Sequence, residues 1–128
     1  MKTSAMPNVL VIDDSATTRM FYRATLEAAG FSVNEAANGL EGLEKTMLDE
    51  FDLVVVDVNM PKMDGIAFLS ELRRREDIRA VPAIVISTQQ REEDRARAHA
   101  AGANAYVIKP VDPQALVAYG RLMTGTSA

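Results

Sequence analysis

The stretch LVVVD at positions 53–57 decides the fold of this chain. Four apolar, mostly β-branched residues run directly into an aspartate, and VLVIDD at positions 9–14 repeats the arrangement. A strand that is apolar on both of its faces is typical of a parallel sheet covered by helices on both sides. Together with these two runs at 53–56 and 9–12, three more short runs complete a set of five predicted strands: 32–36, 83–86 and 105–108.

Segments with helical spacing follow each predicted strand. The second of them shows the pattern most simply: Asn38 is a candidate N-cap, Leu40, Leu43 and Met47 form an apolar stripe that we expect to face the core, and Glu41 stands four residues before a lysine. Five strands that alternate with five helices indicate an α/β fold with right-handed crossovers. We therefore predict a doubly wound, flavodoxin-like (βα)5 domain with a parallel five-stranded sheet of order 2-1-3-4-5.

The composition excludes several classes of function. The chain has 128 residues, which is typical of one domain, and it has no cysteine, so disulfides, thiol nucleophiles and iron–sulfur clusters are excluded. A net charge of −4 argues against DNA binding. The longest stretches without Asp, Glu, Lys or Arg are residues 80–90 and 98–108, both too short to cross a membrane. We expect a soluble, cytoplasmic protein.

Polar side chains stand where the predicted strands end. Asp13 and Asp14 follow the first strand, Asp57 the third, Ser87 the fourth and Lys109 the fifth. Each alone could be a cap or a turn residue. In the proposed strand order, however, they converge at one edge of the sheet, where doubly wound folds bind ligands. Two like charges about 4 Å apart repel by about 4 kcal/mol at an effective dielectric constant of 20. Three carboxylates therefore need a proton or a hard cation such as Mg²⁺ or Mn²⁺, which also suits a phosphoryl substrate.

The sequence resembles the receiver domains of two-component response regulators, and in particular the stand-alone chemotaxis regulators of the CheY type. The resemblance covers about residues 7–124 and implies that residues 1–128 form a single receiver domain. The motifs that carry it are VLVIDDS at 9–15 with Arg19, VDVNMPKMDG at 56–65, IVIS at 84–87, GA at 102–103 and YVIKP at 106–110.

The resemblance implies a phosphoacceptor and a metal site. Asp57 would accept a phosphoryl group from a phosphohistidine on a histidine kinase. Asp14 and Asp57 would bind Mg²⁺ directly, Asn59 would bind it through its backbone carbonyl, and Asp13 would bind it through water. The side chain of Asn59 would also tune the lifetime of the phosphorylated form.

Four further residues have implied roles in phosphate binding and switching. Lys109, followed by Pro110 in a cis peptide, would neutralise a phosphoryl oxygen, and the Ser87 hydroxyl would hydrogen-bond another. Gln89 would tune the lifetime together with Asn59. Phosphorylation would draw Ser87 inward, and Tyr106 would then carry its hydroxyl from solvent into the space left behind.

An output partner is expected at helix 4, strand 5 and helix 5. Residues 113–120 carry no charge, although a surface helix normally exposes charged side chains. No effector domain follows the last predicted helix, so we expect a monomer that signals by binding a partner, most simply the flagellar motor switch. A phosphorelay shuttle or a phosphate sink for another kinase pathway is the alternative within the family.

Particular residues disfavour two other functions, a phosphatase activity and the binding of a cyclic dinucleotide. A haloacid-dehalogenase-type Mg²⁺ phosphatase needs an acid two residues after its nucleophile, and Asn59 cannot transfer a proton. The expected protein is thus a switch that catalyses only its own phosphorylation and dephosphorylation. Arg91, Arg95 and Arg97 could bind a cyclic dinucleotide, but the interleaved acidic residues favour a solvated helix of mixed charge.

Overall fold

The computed structural model describes residues 6–75 and 81–125. Within these ranges no helix is long and apolar enough to cross a membrane. Strands and helices alternate as predicted, and Asp57 and Ser87 are themselves the last residues of their strands. The elements are β1 (Asn8–Ile12), α1 (Ala16–Ala28), β2 (Ser32–Ala36), α2 (Gly39–Leu48), β3 (Leu53–Asp57), α3 (Gly65–Arg74), β4 (Ala83–Ser87), α4 (Glu92–Ala101), β5 (Ala105–Ile108) and α5 (Pro113–Thr124).

The five strands form one parallel sheet of order β2-β1-β3-β4-β5, which confirms the predicted topology. The register pairs Ile12 with Val56 and Ser87 with Ile108. The carboxyl ends of β1, β3, β4 and β5 therefore lie side by side, and the residues that follow or end these strands meet at one edge.

Successive residues of each strand point into two separate apolar cores. Leu10 and Ile12 pack with Phe68 under α2, α3 and α4, whereas Val9 and Val11 belong to the core under α1 and α5. All five side chains are almost completely buried, and burial of one such side chain contributes about 1.5–3 kcal/mol. This burial on both faces explains why residues 9–12 of β1 and 53–56 of β3 are all apolar.

The helix caps leave the acidic residues after β1 free for another role. The N-cap of α1 is Ser15, whose hydroxyl accepts a hydrogen bond from the backbone N–H of Thr18 at 3.2 Å. Neither Asp13 nor Asp14 caps this helix, so the cap interpretation is wrong for both, and only the interpretation as turn residues stays as a structural alternative. Asn38 caps α2 as predicted and accepts from the N–H of the third helical residue at 2.9 Å.

The predicted core face of α2 is wrong. Leu40 and Met47 are 47% and 63% exposed, and Leu43 is only half-buried. The buried residues of α2 are Gly39, Gly42 and Thr46. The reason is the close approach that glycine permits: a Cβ on Gly42 would lie 2.5 Å from Cδ1 of Ile12. The helix is seated through its small residues, with Leu43 packed against the edge of the same core, and the side chains of Leu40, Met47 and Leu48 point outward.

The expected pairing of Glu41 with Lys45 along α2 is also not formed. The Glu41 carboxylate accepts a hydrogen bond from the backbone N–H of Ala37 at 2.9 Å, before the helix begins. The ammonium group of Lys45 donates to the backbone carbonyl of Glu35 at 2.6 Å. Both side chains thus form hydrogen bonds with backbone groups near the end of β2 and the start of α2. Backbone groups at the ends of such elements lack partners within the element itself.

Candidate functional site

Three carboxylates meet at the edge where β1 and β3 end. Asp13, Asp14 and Asp57 each offer an oxygen, and these oxygens lie within 4.8 Å of one another. Asp13 is 1% exposed and Asp57 is 5% exposed, whereas Asp14 is open to solvent. The structure therefore brings together the three acids that the sequence placed at these strand ends.

The Asp13 carboxylate is held on one side only. Its Oδ1 accepts a hydrogen bond from the backbone N–H of Ser15 at 2.9 Å, while its buried Oδ2 has no hydrogen-bond partner among the described residues. Burial raises the pKa of the Asp13 carboxyl; the hydrogen bond from Ser15 opposes this, and the charges of Asp57 and Asp14 add to it. A buried, unpartnered carboxylate oxygen beside two other carboxylates suits a cation that binds through oxygen.

Lys109 contributes a positive charge to the cluster. Its ammonium nitrogen lies 2.8 Å from Oδ1 of Asp57. Burial by itself lowers the pKa of Lys109, but the hydrogen bond and charge of Asp57 outweigh it, so the pKa is raised and the group stays protonated. Three carboxylates and one ammonium leave a net charge of −2, which fits a hard divalent cation bound through oxygen.

The backbone of Gln89 connects Ser87 to Tyr106. Ser87 is 1% exposed, and its hydroxyl accepts a hydrogen bond from the N–H of Gln89 at 3.0 Å. The Tyr106 hydroxyl donates to the carbonyl of Gln89 at 2.8 Å. The side chain of Gln89 is exposed, so the contacts of this residue that involve the site are those of its backbone.

The prediction that the Tyr106 hydroxyl lies in solvent before phosphorylation is wrong, because Tyr106 is only 7% exposed. The Gln89 carbonyl holds the hydroxyl, and the Arg95 guanidinium lies 5.0 Å from the centre of the ring. The inward position therefore does not require a displacement of Ser87.

The remaining predicted residues flank the cluster. Asn59 is exposed in the loop after β3, and no described contact tests its assigned role. The Lys109–Pro110 peptide is cis, in agreement with the resemblance. Gly65 packs against the end of β3, because a Cβ at this position would collide with the backbone carbonyl oxygen of Asp57. The loop between Asp57 and α3 can close this tightly only with glycine.

Arg19 belongs to the motifs quoted above, but its contacts, which fix the backbone at Asp13, were not predicted. Arg19 donates from Nη1 to the carbonyl oxygen of Asp13 at 2.6 Å and from Nε to the carboxylate of Glu35 at 2.9 Å. Arg23 donates to the other oxygen of Glu35 at 2.6 Å. These hydrogen bonds lower the pKa of Glu35, the bond from Arg23 most strongly. The signal in the sequence was Glu35, a charged residue inside the predicted strand 32–36 that needs a basic partner.

The three arginines that are candidates for binding a cyclic dinucleotide contact nearby side chains of the protein itself. Arg91 and Arg97 lie 3.7 and 3.9 Å from the carboxylate of Asp94, and Arg95 covers Tyr106. This arrangement favours the helix of mixed charge over a ligand site.

An open pocket of about 590 Å³ lies beside Lys109. Its lining is mostly apolar and comes from α1, from the residue after β4 and from the segment after β5. The residues are Thr17, Thr18, Phe21, Tyr22, Thr88, Lys109, Pro110 and Val111. Of the residues assigned to the acidic cluster, Lys109 lines this pocket.

Comparison with known proteins agrees with this site. The chain is 36% identical over 103 residues to Chemotaxis protein CheY-3 of Vibrio cholerae, covering 80% of this chain and 79% of that protein. It is 40% identical over 104 residues to Sensor histidine kinase CheAY of Helicobacter pylori, where the match covers 80% of this chain but only 13% of the kinase. The haloacid-dehalogenase alternative receives no support from these matches.

Solved structures and the family match lead to the same assignment. The structure of Vibrio cholerae chemotaxis protein CheY4 superposes with a TM-score of 0.88 at 34% identity and covers 93% of this chain and 99% of that one. The family described as response regulator receiver domain matches residues 9–121. The chain belongs to the family of response regulator receiver domains.

Proposed function

We propose that Asp57 is the phosphoacceptor of a signalling switch. The observation that carries this proposal is the contact of 2.8 Å between Lys109 Nζ and Asp57 Oδ1 inside a buried acidic cluster. A carboxylate oxygen of Asp57 attacks the phosphorus of a phosphohistidine, the P–N bond breaks as the P–O bond forms, and the imidazole nitrogen keeps the electron pair. Lys109 stays near the acceptor and offsets the negative charge on the phosphoryl oxygens.

The residues that would hold the metal are Asp14 and Asp57 directly, Asn59 through its backbone carbonyl, and Asp13 through water. The net charge of −2 and the unpartnered Oδ2 of Asp13 support a divalent cation. We infer Mg²⁺, which Mn²⁺ can replace, because all of the donors are oxygens. When bound, the ion neutralises and orients the phosphoryl oxygens.

The phosphodonor that we propose is a histidine kinase. The pocket beside Lys109 is open, and its apolar lining includes Phe21 and Val111, which suits the approach of a protein surface that carries the phosphohistidine. The reaction class distinguishes this from a phosphatase: the phosphoryl group moves onto Asp57 once, with no sustained turnover of phosphomonoesters. The protein thus catalyses its own phosphorylation and dephosphorylation and acts by changing state.

We propose that the signal leaves the site through the backbone of Gln89. A phosphoryl group adds a charge of about −1.5 to −2 at the end of β3. The Ser87 hydroxyl then turns toward it as a donor, and the loop that holds Gln89 by the N–H follows. Since Tyr106 is bonded to the carbonyl of the same residue, its ring and the Arg95 side chain stacked on it shift with the loop.

The output surface that we propose is α4, β5 and α5. The uncharged residues 113–120 lie on this surface, with Ala118 and Tyr119 exposed. The similarity to CheY-3 and CheY4 supports chemotaxis, with the flagellar motor switch as the partner of a monomeric protein. A phosphorelay shuttle or a phosphate sink remains the second candidate, because those roles use the same acceptor.

Beryllofluoride, which stands in for the phosphoryl group, tests the switch. In NMR spectra we expect shifts at Ser87, Gln89, Tyr106 and across residues 91–119. Changes confined to the loops at Asp13, Asp57 and Lys109 would contradict the proposed route.

Binding and transfer assays test the pathway. Beryllofluoride-treated protein should bind the purified motor switch protein of the same organism more tightly than untreated protein does. Equal binding in both states, together with transfer of the phosphoryl group from Asp57 onward to a histidine phosphotransfer domain, would favour the shuttle instead.

A further inference from the structure

The outward face of α2 is apolar although it contributes little to the core. Leu40, Met47 and Leu48 are 47%, 63% and 81% exposed. They stand at positions i, i+7 and i+8 and therefore share one face of the helix. The span from the first to the last is about 12 Å at 1.5 Å per residue.

Packing inside the protein does not explain these three side chains. The helix is seated on the sheet through Gly39, Gly42 and Thr46, and the glycines bring its backbone close to Ile12 and Met63. Large side chains on the opposite side are not needed for that contact. A group of exposed apolar side chains on one helix face is typical of a surface that binds another protein.

The charges around this apolar face are negative. Glu44 lies between Leu40 and Leu48, and Asp49 and Glu50 are exposed where α2 ends. The negative end of the helix dipole lies at the same place. The one basic residue of α2, Lys45, is turned away to the carbonyl of Glu35.

Among residues 6–75 and 81–125, the basic groups near α2 lie on other sides of it. The Arg75 guanidinium approaches from α3, 3.4 Å from the hydroxyl of Thr46, which is on the buried side of the helix. The outward face of α2 itself is therefore both apolar and acidic.

We propose that the outward face of α2, formed by Leu40, Glu44, Met47 and Leu48, binds an amphipathic helix of a partner protein whose apolar side chains are flanked by lysine or arginine. The apolar residues would pack between the two helices, and the basic flanks would meet the acidic residues. A second copy of this chain does not fit, because a two-fold contact centred on this face would bring Glu44 against Glu44 of the other copy, and the face has no basic side chain that could pair with either.

This surface is separate from the proposed output surface. α2 packs against α3 and the strands β1 and β2, whereas α4 and β5 lie toward the opposite edge of the sheet and α5 packs on its other face, against α1 and β3. Because the two surfaces share no residues, we expect partner binding at α2 to be independent of phosphorylation. Binding at α2 would recruit the protein whether or not Asp57 is phosphorylated.

Calorimetry with two synthetic three-turn helical peptides tests the proposal. Both carry leucines along one face; lysines flank that face in the first peptide and glutamates in the second. We expect the lysine peptide to bind, with affinity that falls as salt rises and is unchanged by beryllofluoride, and to shift the amide signals of residues 39–50. The double variant Met47→Gln, Leu48→Gln should weaken binding about tenfold or more. Met20→Gln, which changes a side chain that is 67% exposed on α1, is the matched control and should have no effect.

The proposal fails if the lysine peptide does not bind, if the glutamate peptide binds equally well, or if the shifted signals lie on α4 and α5. Sedimentation provides an independent check. A dimer that the double variant abolishes would show that α2 joins two copies of this chain, and would overturn the assignment to a basic partner helix. Because the substituted side chains are exposed, the variants should fold, which their unchanged thermal melting in the absence of peptide would verify.

Discussion

Replacement of Asp13 by asparagine should stabilise the metal-free protein. Two unit charges 4.8 Å apart repel by about 3.5 kcal/mol at an effective dielectric constant of 20, and Asp13 lies within that distance of two other carboxylates. The attraction of Lys109 offsets part of this repulsion, and the exposure of Asp14 screens another part. The asparagine oxygen can still accept the hydrogen bond from Ser15. We therefore expect a gain of about 2 kcal/mol in the free energy of unfolding.

Thermal melts in EDTA and in Mg²⁺ measure this effect. For a domain of this size, 2 kcal/mol corresponds to a rise of roughly 8 °C in Tm. Mg²⁺ should raise the Tm of the wild-type protein and have much less effect on Asp13→Asn, so the two curves should approach each other. Asp14→Asn is the matched control: it removes the same charge from an exposed position, and its gain in EDTA should be smaller. A lower Tm for Asp13→Asn than for the wild type in EDTA would refute the idea that crowded acids destabilise the metal-free state.

Three other substitutions test separate parts of the structure. Gly65→Ala should lower the free energy of unfolding by about 2 kcal/mol in urea titrations, because the new Cβ collides with the carbonyl of Asp57; a neutral effect would mean that the loop opens freely. Tyr106→Phe should cost about 1 kcal/mol in the same assay through loss of the hydrogen bond to Gln89, and an unchanged midpoint would show that the bond contributes nothing. Glu35→Gln should cost less than about 1 kcal/mol at neutral pH, since the paired arginines are partly exposed. Because the pKa of Glu35 is lowered in the folded state, its contribution is present above the pKa of the unfolded chain and is lost as pH falls through the lowered value. A difference from the wild type that grows on acidification would contradict this.

The sheet was predictable because its signals are local. Residues 53–56 and 9–12 are buried on both faces of the sheet and are therefore apolar at every position. Such runs lack the polar positions of an amphipathic helix. The orientation of α2 was not predictable in this way. Its leucines and methionine have the spacing of a core face. Because Gly42 lies close to Ile12, however, the helix is rotated about its axis so that its small residues face the sheet.

The acidic site was predictable for a topological reason. Residues that follow neighbouring parallel strands must meet at one edge, so Asp13 and Asp57 could be placed together once the strand order 2-1-3-4-5 was predicted. The support from Arg19 and Glu35 could not, because it depends on how α1 lies against β2. The buried position of Tyr106 depends on the path of the loop after β4, which short-range sequence patterns do not specify.

Intact-mass spectrometry after incubation with acetyl phosphate and Mg²⁺ tests the phosphoacceptor assignment most directly. We expect a gain of one phosphoryl group for the wild-type protein and for Asp49→Asn, a matched change of an exposed aspartate outside the site. We expect no gain for Asp57→Asn and none for the wild type in EDTA. Persistent labelling of the Asp57→Asn protein would contradict the central claim that Asp57 receives the phosphoryl group.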